Sequence, residues 1–241
     1  MAAKGVLGVL GGMGPLATVD FMQKVIEATP AERDQDHIPM LAHSVPQVPD
    51  RTESIDAGSD EPLTWMIEGG QKLQAAGAEF IAIPCNTAHY WYDGLVETLD
   101  IPVLHIVDCA ADDLKAKGIA EGRVGLLATS GTVKAGVYQN RFESLGYTCV
   151  CPDEKMQAEN VMGGIAAVKA GDLDRGRERL EAAAATLVEQ DCQAIILGCT
   201  EIPIVLTAAM SPAPGISYLD ATDALARAAV AWHSARVEQV G

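Results

Sequence analysis

Twice in this chain a short apolar run ends at a cysteine followed by small polar residues: Phe80-Ile-Ala-Ile-Pro-Cys85-Asn86-Thr87 and Ala194-Ile-Ile-Leu-Gly-Cys199-Thr200. Each run is too short and too uniformly apolar for an amphipathic helix and reads as a strand buried on both faces, with the thiol where the chain turns away. The duplication extends further. Gly5-Val-Leu-Gly-Val-Leu10 leads into Gly11-Gly-Met-Gly14, and Arg123-Val-Gly-Leu-Leu-Ala128 leads into Thr129-Ser-Gly-Thr132. Gly11 precedes Cys85 by 74 positions and Thr129 precedes Cys199 by 70. That period is far longer than a solenoid repeat, so the chain reads as two related α/β halves.

Strand and helix signals alternate almost throughout, the pattern of parallel sheets with helices on both faces. Strands are predicted near Val6 to Leu10, Met40 to Ser44, Phe80 to Pro84, Val103 to His105, Val124 to Ala128, Thr148 to Cys151, Ile195 to Gly198 and Ser217 to Leu219. Helices are predicted over Pro15 to Ala28, Leu63 to Ala76, Ala88 to Thr98, Val107 to Lys117, Gly136 to Ser144, Glu159 to Ala170, Leu173 to Glu189, Ile202 to Ala208 and Ala221 to Val237. Between Val45 and Glu61 the chain reads as a long, polar, turn-rich loop of the kind that carries function. The expected division is residues 1–107 plus 208–241 for the first domain and 108–207 for the second, the last helix packing back on the first.

Composition narrows the function classes. Seventeen Lys and Arg against thirty-three Asp and Glu give a net charge of -16, which argues against a nucleic-acid partner because phosphate binding needs a basic face. No apolar stretch approaches the roughly 20 residues of a membrane helix, so the expectation is a cytoplasmic protein without a membrane partner. The six cysteines (85, 109, 149, 151, 192 and 199) match no zinc spacing, and no metal is expected. In a reducing compartment they are free thiols, with Cys109 and Cys192 read as small buried hydrophobes.

A cysteine at the carboxyl end of a parallel strand lies where open α/β sheets bind ligands. Backbone N–H groups around Asn86-Thr87-Ala88 and Thr200-Glu201-Ile202 could hold a carboxylate and lower a thiol pKa from its free value of about 8.5. Two opposed thiols suit proton transfer at carbon: a thiolate takes a proton from one face while a thiol delivers one to the other, inverting configuration without a cofactor. His89 and His105, near strand ends, could orient a thiol, but each is read first as a satisfied structural histidine.

The motifs Gly11-Gly-Met-Gly-Pro15, Pro46-Gln-Val-Pro-Asp-Arg-Thr52, Pro84-Cys-Asn-Thr-Ala-His89, Leu127-Ala-Thr-Ser-Gly-Thr132 and Gly198-Cys-Thr-Glu-Ile-Pro203 occur in the order seen in the aspartate/glutamate racemase family, which the chain resembles. Within that family it is most similar to the aspartate racemase and broad-specificity amino-acid racemase branch. The resemblance implies two pseudo-symmetric Rossmann-like domains with mainly parallel sheets flanked by helices and the active site in the cleft between them. It implies an amino-acid substrate, no cofactor, a homodimer, and catalysis by Cys85 and Cys199 exchanging roles with substrate handedness. Carried over onto this sequence, Asn86, Thr87, Thr129 and Thr200 would hold the α-amino and α-carboxylate groups. Met13 would lie against the substrate with Gln47 nearby, and Arg51 and Lys169 would take a distal carboxylate, aspartate first and glutamate second. Glu201 stands where the glutamate racemase branch tends to have histidine, which moves the resemblance towards aspartate racemases.

Three other readings compete. Gly12-Met-Gly14-Pro-Leu-Ala17 formally matches a dinucleotide fingerprint, but the second strand ends at Ala42-His-Ser-Val45 without the acidic residue that would hold a ribose. A racemase or isomerase of another small acid, of the hydantoin racemase or maleate isomerase type, would use the same thiols, one of them attacking carbon in the latter case. A binding protein for an acidic amino acid would leave the substrate's handedness unchanged.

Overall fold

The structure is a computed structural model that describes residues 4–207 and 209–238, with side chains to residue 237. The chain divides into two compact units, Met1–Cys109 with Thr222–Gly241, and Ala110–Ala221. Residues 1–3 and 239–241 of the expected first domain, and Ala208, lie outside the described residues. Each unit is a parallel sheet with helices from the intervening chain, the α/β alternation read from the sequence.

The first unit runs β1 (Leu7–Gly11), α1 (Pro15–Ala28), β2 (Met40–Ser44), α2 (Arg51–Asp56), α3 (Glu61–Ala75), β3 (Phe80–Ala82) and α4 (Tyr92–Val96), and α5 (Ile106–Ala116) begins in it and ends in the second. Its strands lie in the order β2-β1-β3, all parallel, with Leu7 opposite both Met40 and Phe80. β1 and β3 are wholly buried and β2, at the edge, is partly exposed. The core gathers Leu10, Met66, Leu73, Ile81, Ile83 and Leu95.

The second unit runs β4 (Gly122–Ala128), α6 (Ser130–Lys134), α7 (Val137–Ser144), β5 (Tyr147–Val150), α8 (Glu154–Met156), α9 (Gly163–Lys169), α10 (Leu173–Val188), β6 (Ala194–Gly198) and β7 (Ser217–Asp220), and α11 (Ala221–Glu238) follows. Its order is β5-β4-β6-β7, again parallel, around a core of Leu127, Leu180, Leu187, Ile195 and Leu197. The duplication read from the sequence is therefore topological: β2-β1-β3 corresponds to β5-β4-β6. It reaches one strand further, because Val103 forms a parallel bridge with Ile81 of β3 just before α5, as β7 pairs with β6 just before α11.

Several elements differ from the sequence reading. The strand expected at Val103 to His105 is a single bridge, because residue 102 is proline and His105 already accepts a hydrogen bond at Nδ1 from Val107 N (3.2 Å) at the start of α5. β3 stops at Ala82, where Pro84 has no donor and Cys85 N turns back to Ile83 O (2.8 Å). The loop at 45–61 contains α2, capped by Asp50, whose carboxylate accepts from Thr52 N and Glu53 N. The helix expected over Ala88 to Thr98 is a 3-10 turn, Thr87–Trp91, followed by α4. Trp91 Nε1 donates to Asp60 (2.9 Å) and Tyr92 OH to Val103 O (2.8 Å), and these anchored aromatics hold the break.

The helix expected over Glu159 to Ala170 is a π-helical turn, Gln157–Met162, leading into α9. Arg179 Nη1 takes the Glu159 carbonyl (2.6 Å), which a regular helix would use in its own ladder. The helix expected over Ile202 to Ala208 is a single 3-10 turn, Ile202–Ile204, after which buried Val205 and Leu206 turn the chain inward. The second compact unit extends to Ala221, where pairing of β7 with β6 has carried the chain as far as Asp220.

α11 completes the first unit from the far end of the sequence. Trp232 stacks on Phe80 (centroids 4.0 Å apart), His233 Nδ1 meets Gly5 O (2.9 Å) and Arg236 pairs with Glu79 (3.5 Å). Among the described residues no helix is long and apolar enough to cross a membrane.

Gly12, just past β1, has φ +96°, and a Cβ there would lie 2.2 Å from Val45 N. Gly58 has φ +63° with open space around it. Both positions disfavour a side chain, but only Gly12 also meets fixed backbone. Gly58→Ala is expected to cost about 1 to 2 kcal/mol in urea unfolding, whereas Gly12→Ala should cost at least twice as much as Gly58→Ala. Equal losses would show that the contact with Val45 carries no weight.

Candidate active site

In both units the sequence-predicted site residues gather at the carboxyl ends of the central strands. In the second, Ala128 of β4 and Gly198 of β6 are register partners, so Thr129 and Cys199 leave the sheet side by side. In the first, β1 ends at Gly11 and β3 at Ala82, and Met13 and Cys85 belong to one buried cluster with Val48. These are the edges where parallel sheets bind ligands.

Cys85 is buried, and its environment is cationic. Burial pushes its thiol up, opposed by the positive charge of the Arg51 guanidinium and by the backbone N–H groups of Ala88 and Thr87. Those two amides, expected to serve a carboxylate, thus also favour the thiolate. Arg51 opens α2, and its Nη1 donates to Val48 O and Pro49 O, both at 3.0 Å. The residue expected to take a distal carboxylate is thus held beside a thiol. Asn86 and Thr87 are buried next to Cys85 in sequence, while Gln47 is exposed on the loop after β2.

His89 fixes this loop from below. Its Nε2 accepts from Ile106 N (3.2 Å), which leaves Nδ1 to donate to Cys85 O (2.9 Å). The ring therefore ties the Cys85 carbonyl to the first residue of α5. The His105 ring lies tilted against it, with centroids 4.9 Å apart. Both histidines have the structural settings that the sequence reading assigned them.

Cys199 is equally buried but faces an anion. Its Sγ donates to Glu201 Oε2 (2.9 Å), and Thr200 Oγ1 donates to the same oxygen (3.2 Å). Lys169, at the end of α9, reaches the other oxygen, Oε1, at 3.7 Å. Burial, the Glu201 charge and the hydrogen bond to it push the Cys199 thiol far up, against the Glu201 N–H and Lys169. Four residues, Lys169, Cys199, Thr200 and Glu201, thus meet around one carboxylate. Thr129 caps α6, accepting from Thr132 N (3.3 Å), and its hydroxyl lies 3.0 Å from that of Thr132.

Two residues at this edge had no assigned role in the sequence reading. Glu201 served only to separate branches of a family, yet it is the partner of Cys199. A carboxylate two positions after a strand-end thiol is a visible signal for such a contact. Gln157 had none. Its Nε2 donates to Ala128 O (2.9 Å) and lies 3.4 Å from Ser130 Oγ, bracketing Thr129, while Met162 Sδ accepts from Ser130 N (3.3 Å). The π-helical turn that presents both ends depends on Arg179, twenty positions from Glu159.

Buried thiols after duplicated parallel strands define a class of enzyme, and comparison with known proteins identifies it. The model of the Asp/Glu/Hydantoin racemase family matches residues 10–229. The broad specificity amino-acid racemase RacX of Bacillus subtilis (strain 168) is 31% identical over 233 residues, covering 95% of this chain and 98% of RacX. The aspartate racemase of Picrophilus torridus superposes with a TM-score of 0.80 at 32% identity, covering 95% and 94% of the two chains. A putative Asp/Glu racemase from Yersinia pestis gives 0.80 at 27% identity, covering 95% and 99%. The chain belongs to the Asp/Glu/hydantoin racemase family and is an isomerase of the racemase class.

The buried His89 ring yields a pH prediction. Burial lowers its pKa from the ordinary 6.5 to about 4, so it is neutral when folded. As pH falls from about 6.5 to about 4, the unfolded chain binds a proton that folded His89 refuses, and stability is lost. Above that window His89 contributes no pH dependence. The loss approaches about 3 kcal/mol. Urea unfolding of wild type and His89→Gln at a series of pH values is expected to show the difference in stability shrinking by about that amount. A constant difference would mean that His89 titrates normally in the fold.

Proposed function

We propose that the protein interconverts the L and D forms of an acidic amino acid, aspartate first and glutamate second, by two-base proton transfer between Cys85 and Cys199. The observation that carries this reading is the matched placement of two buried thiols past equivalent strands, β3 and β6. One thiolate removes the α-proton, the other thiol protonates the opposite face, and inversion follows with no change in oxidation state. The two sulfurs complete the acid–base set, so neither pyridoxal phosphate nor a metal has a step to perform.

In this reading Asn86, Thr87, Thr129 and Thr200 hold the α-amino and α-carboxylate groups, with Met13 against the substrate and Gln47 near it. Arg51 and Lys169 take the side-chain carboxylate. Both cations have other partners in the substrate-free protein, the Cys85 sulfur for one and Glu201 for the other, so an acidic side chain competes for them on binding. We further assign the protein to the cytoplasm as a homodimer. Free thiols in all six cysteines fit a reducing compartment, and twofold pairs are the commonest assembly.

The deciding experiment is α-proton exchange followed by NMR in deuterated water, with a panel of L-amino acids, hydantoins and maleate, no cofactor added, and chiral analysis of the products. Deuterium at the α-carbon with inversion is expected for aspartate above glutamate. Cys85→Ser and Cys199→Ser should each lower the racemisation rate by at least about 100-fold with unchanged circular dichroism. Near-normal rates in both variants would refute the two-thiol mechanism. Turnover of hydantoins or maleate alone would move the substrate class elsewhere in the family.

A further inference from the structure

The environments of the two thiols differ in sign. Beside Cys85 the Arg51 guanidinium opposes the upward push of burial on the thiol, whereas Cys199 has a carboxylate that accepts its proton at 2.9 Å. Glu201 is well placed for that bond: Thr200 Oγ1 shares Oε2, and the exposed Lys169 forms a looser ion pair with Oε1 at 3.7 Å. Glu201 and Lys169 are the charged groups that act on Cys199, and Arg51 is the one that acts on Cys85. Donors to sulfur favour a thiolate, and an acceptor beside sulfur favours a thiol.

We infer that Glu201 is a positioning residue that keeps the proton on Cys199, so the resting enzyme is preset with Cys199 as the acid and, of the two thiols, Cys85 as the base. The inference rests on the reading of these two thiols as the acid–base pair. In the preset direction, the Cys85 thiolate takes the α-proton and becomes a thiol. The Cys199 S–H bond then breaks, its proton goes to the opposite face of the carbanion, and the electron pair stays on sulfur. That second state places the Cys199 thiolate against the Glu201 carboxylate, a like-charge contact that favours return of a proton to Cys199. The starting state is restored when Cys85 gives its proton to solvent water and Cys199 takes one from it, and the like-charge contact with Glu201 favours that exchange.

The test reads each thiol without turnover. Iodoacetamide labelling of substrate-free protein, followed by peptide mass spectrometry from about pH 6 to about pH 10, gives a rate for each cysteine, and ratios of variant to wild type at one site cancel its burial. Glu201→Gln keeps shape and removes charge. It should raise Cys199 labelling at least about tenfold and lower its midpoint by at least about one pH unit, with Cys85 unchanged. Glu201→Asp should restore most of the wild-type suppression. Lys169→Met should act in the opposite sense and slow Cys199 labelling further. Unchanged Cys199 labelling in Glu201→Gln, or an equal rise at both cysteines, would overturn the inference. The racemase reading fails separately, through the rates of the serine variants, so the two failures are distinguishable.

Discussion

Burial of two short parallel strands governs everything else in this protein. β6 lies between β4 and β7, β3 pairs with β1 and is bridged at Ile81 by Val103 on its other side, and both are wholly buried, so each holds the residues that follow it firmly. A sulfur one to three residues beyond such a strand inherits that rigidity and that low dielectric. Both features suit proton transfer at carbon, where a base must be held in place and out of water. The cost is that burial opposes the charged form of each thiol, and the surroundings must offset it locally.

Each unit offsets burial differently although the two share a topology. The first brings a cation from α2 across to the sulfur, so the Pro-rich segment before Arg51 is part of the thiol's environment and not only a cover for ligand. The second lets the sulfur keep its proton and bond to a carboxylate from its own turn. Duplicated halves thus supply the frame, and residues outside the repeated motif set the charge at each thiol.

The frame was legible in the sequence because its signals are local. The helix over Pro15 to Ala28 and the strand over Met40 to Ser44 match at both ends, since Pro15 opens the former and the latter is bounded by Pro39 and Pro46. Asp50-Arg-Thr-Glu53 is also a local capping pattern, yet the prolines around it favoured a loop reading, and α2 went unrecognised. What could not be read were contacts between distant positions. Arg179 opening the turn at Glu159 and Lys169 meeting Glu201 join residues far apart in sequence with no periodicity to mark them. The family was legible because five motifs occur in order, and one of them places Glu201 two positions after Cys199, although none marks Arg51 as the charge beside Cys85.

The way α11 completes the first unit has a bearing on biosynthesis. A ribosome releases β1, β2 and β3 long before it releases Trp232, the residue that covers Phe80. The second unit, whose strands end at Asp220, is continuous in sequence and has all its sheet partners in hand before α11 is made. The half of the protein that emerges first is therefore the half that closes last, and until α11 arrives the nascent chain displays an apolar strand that is a natural target for chaperones.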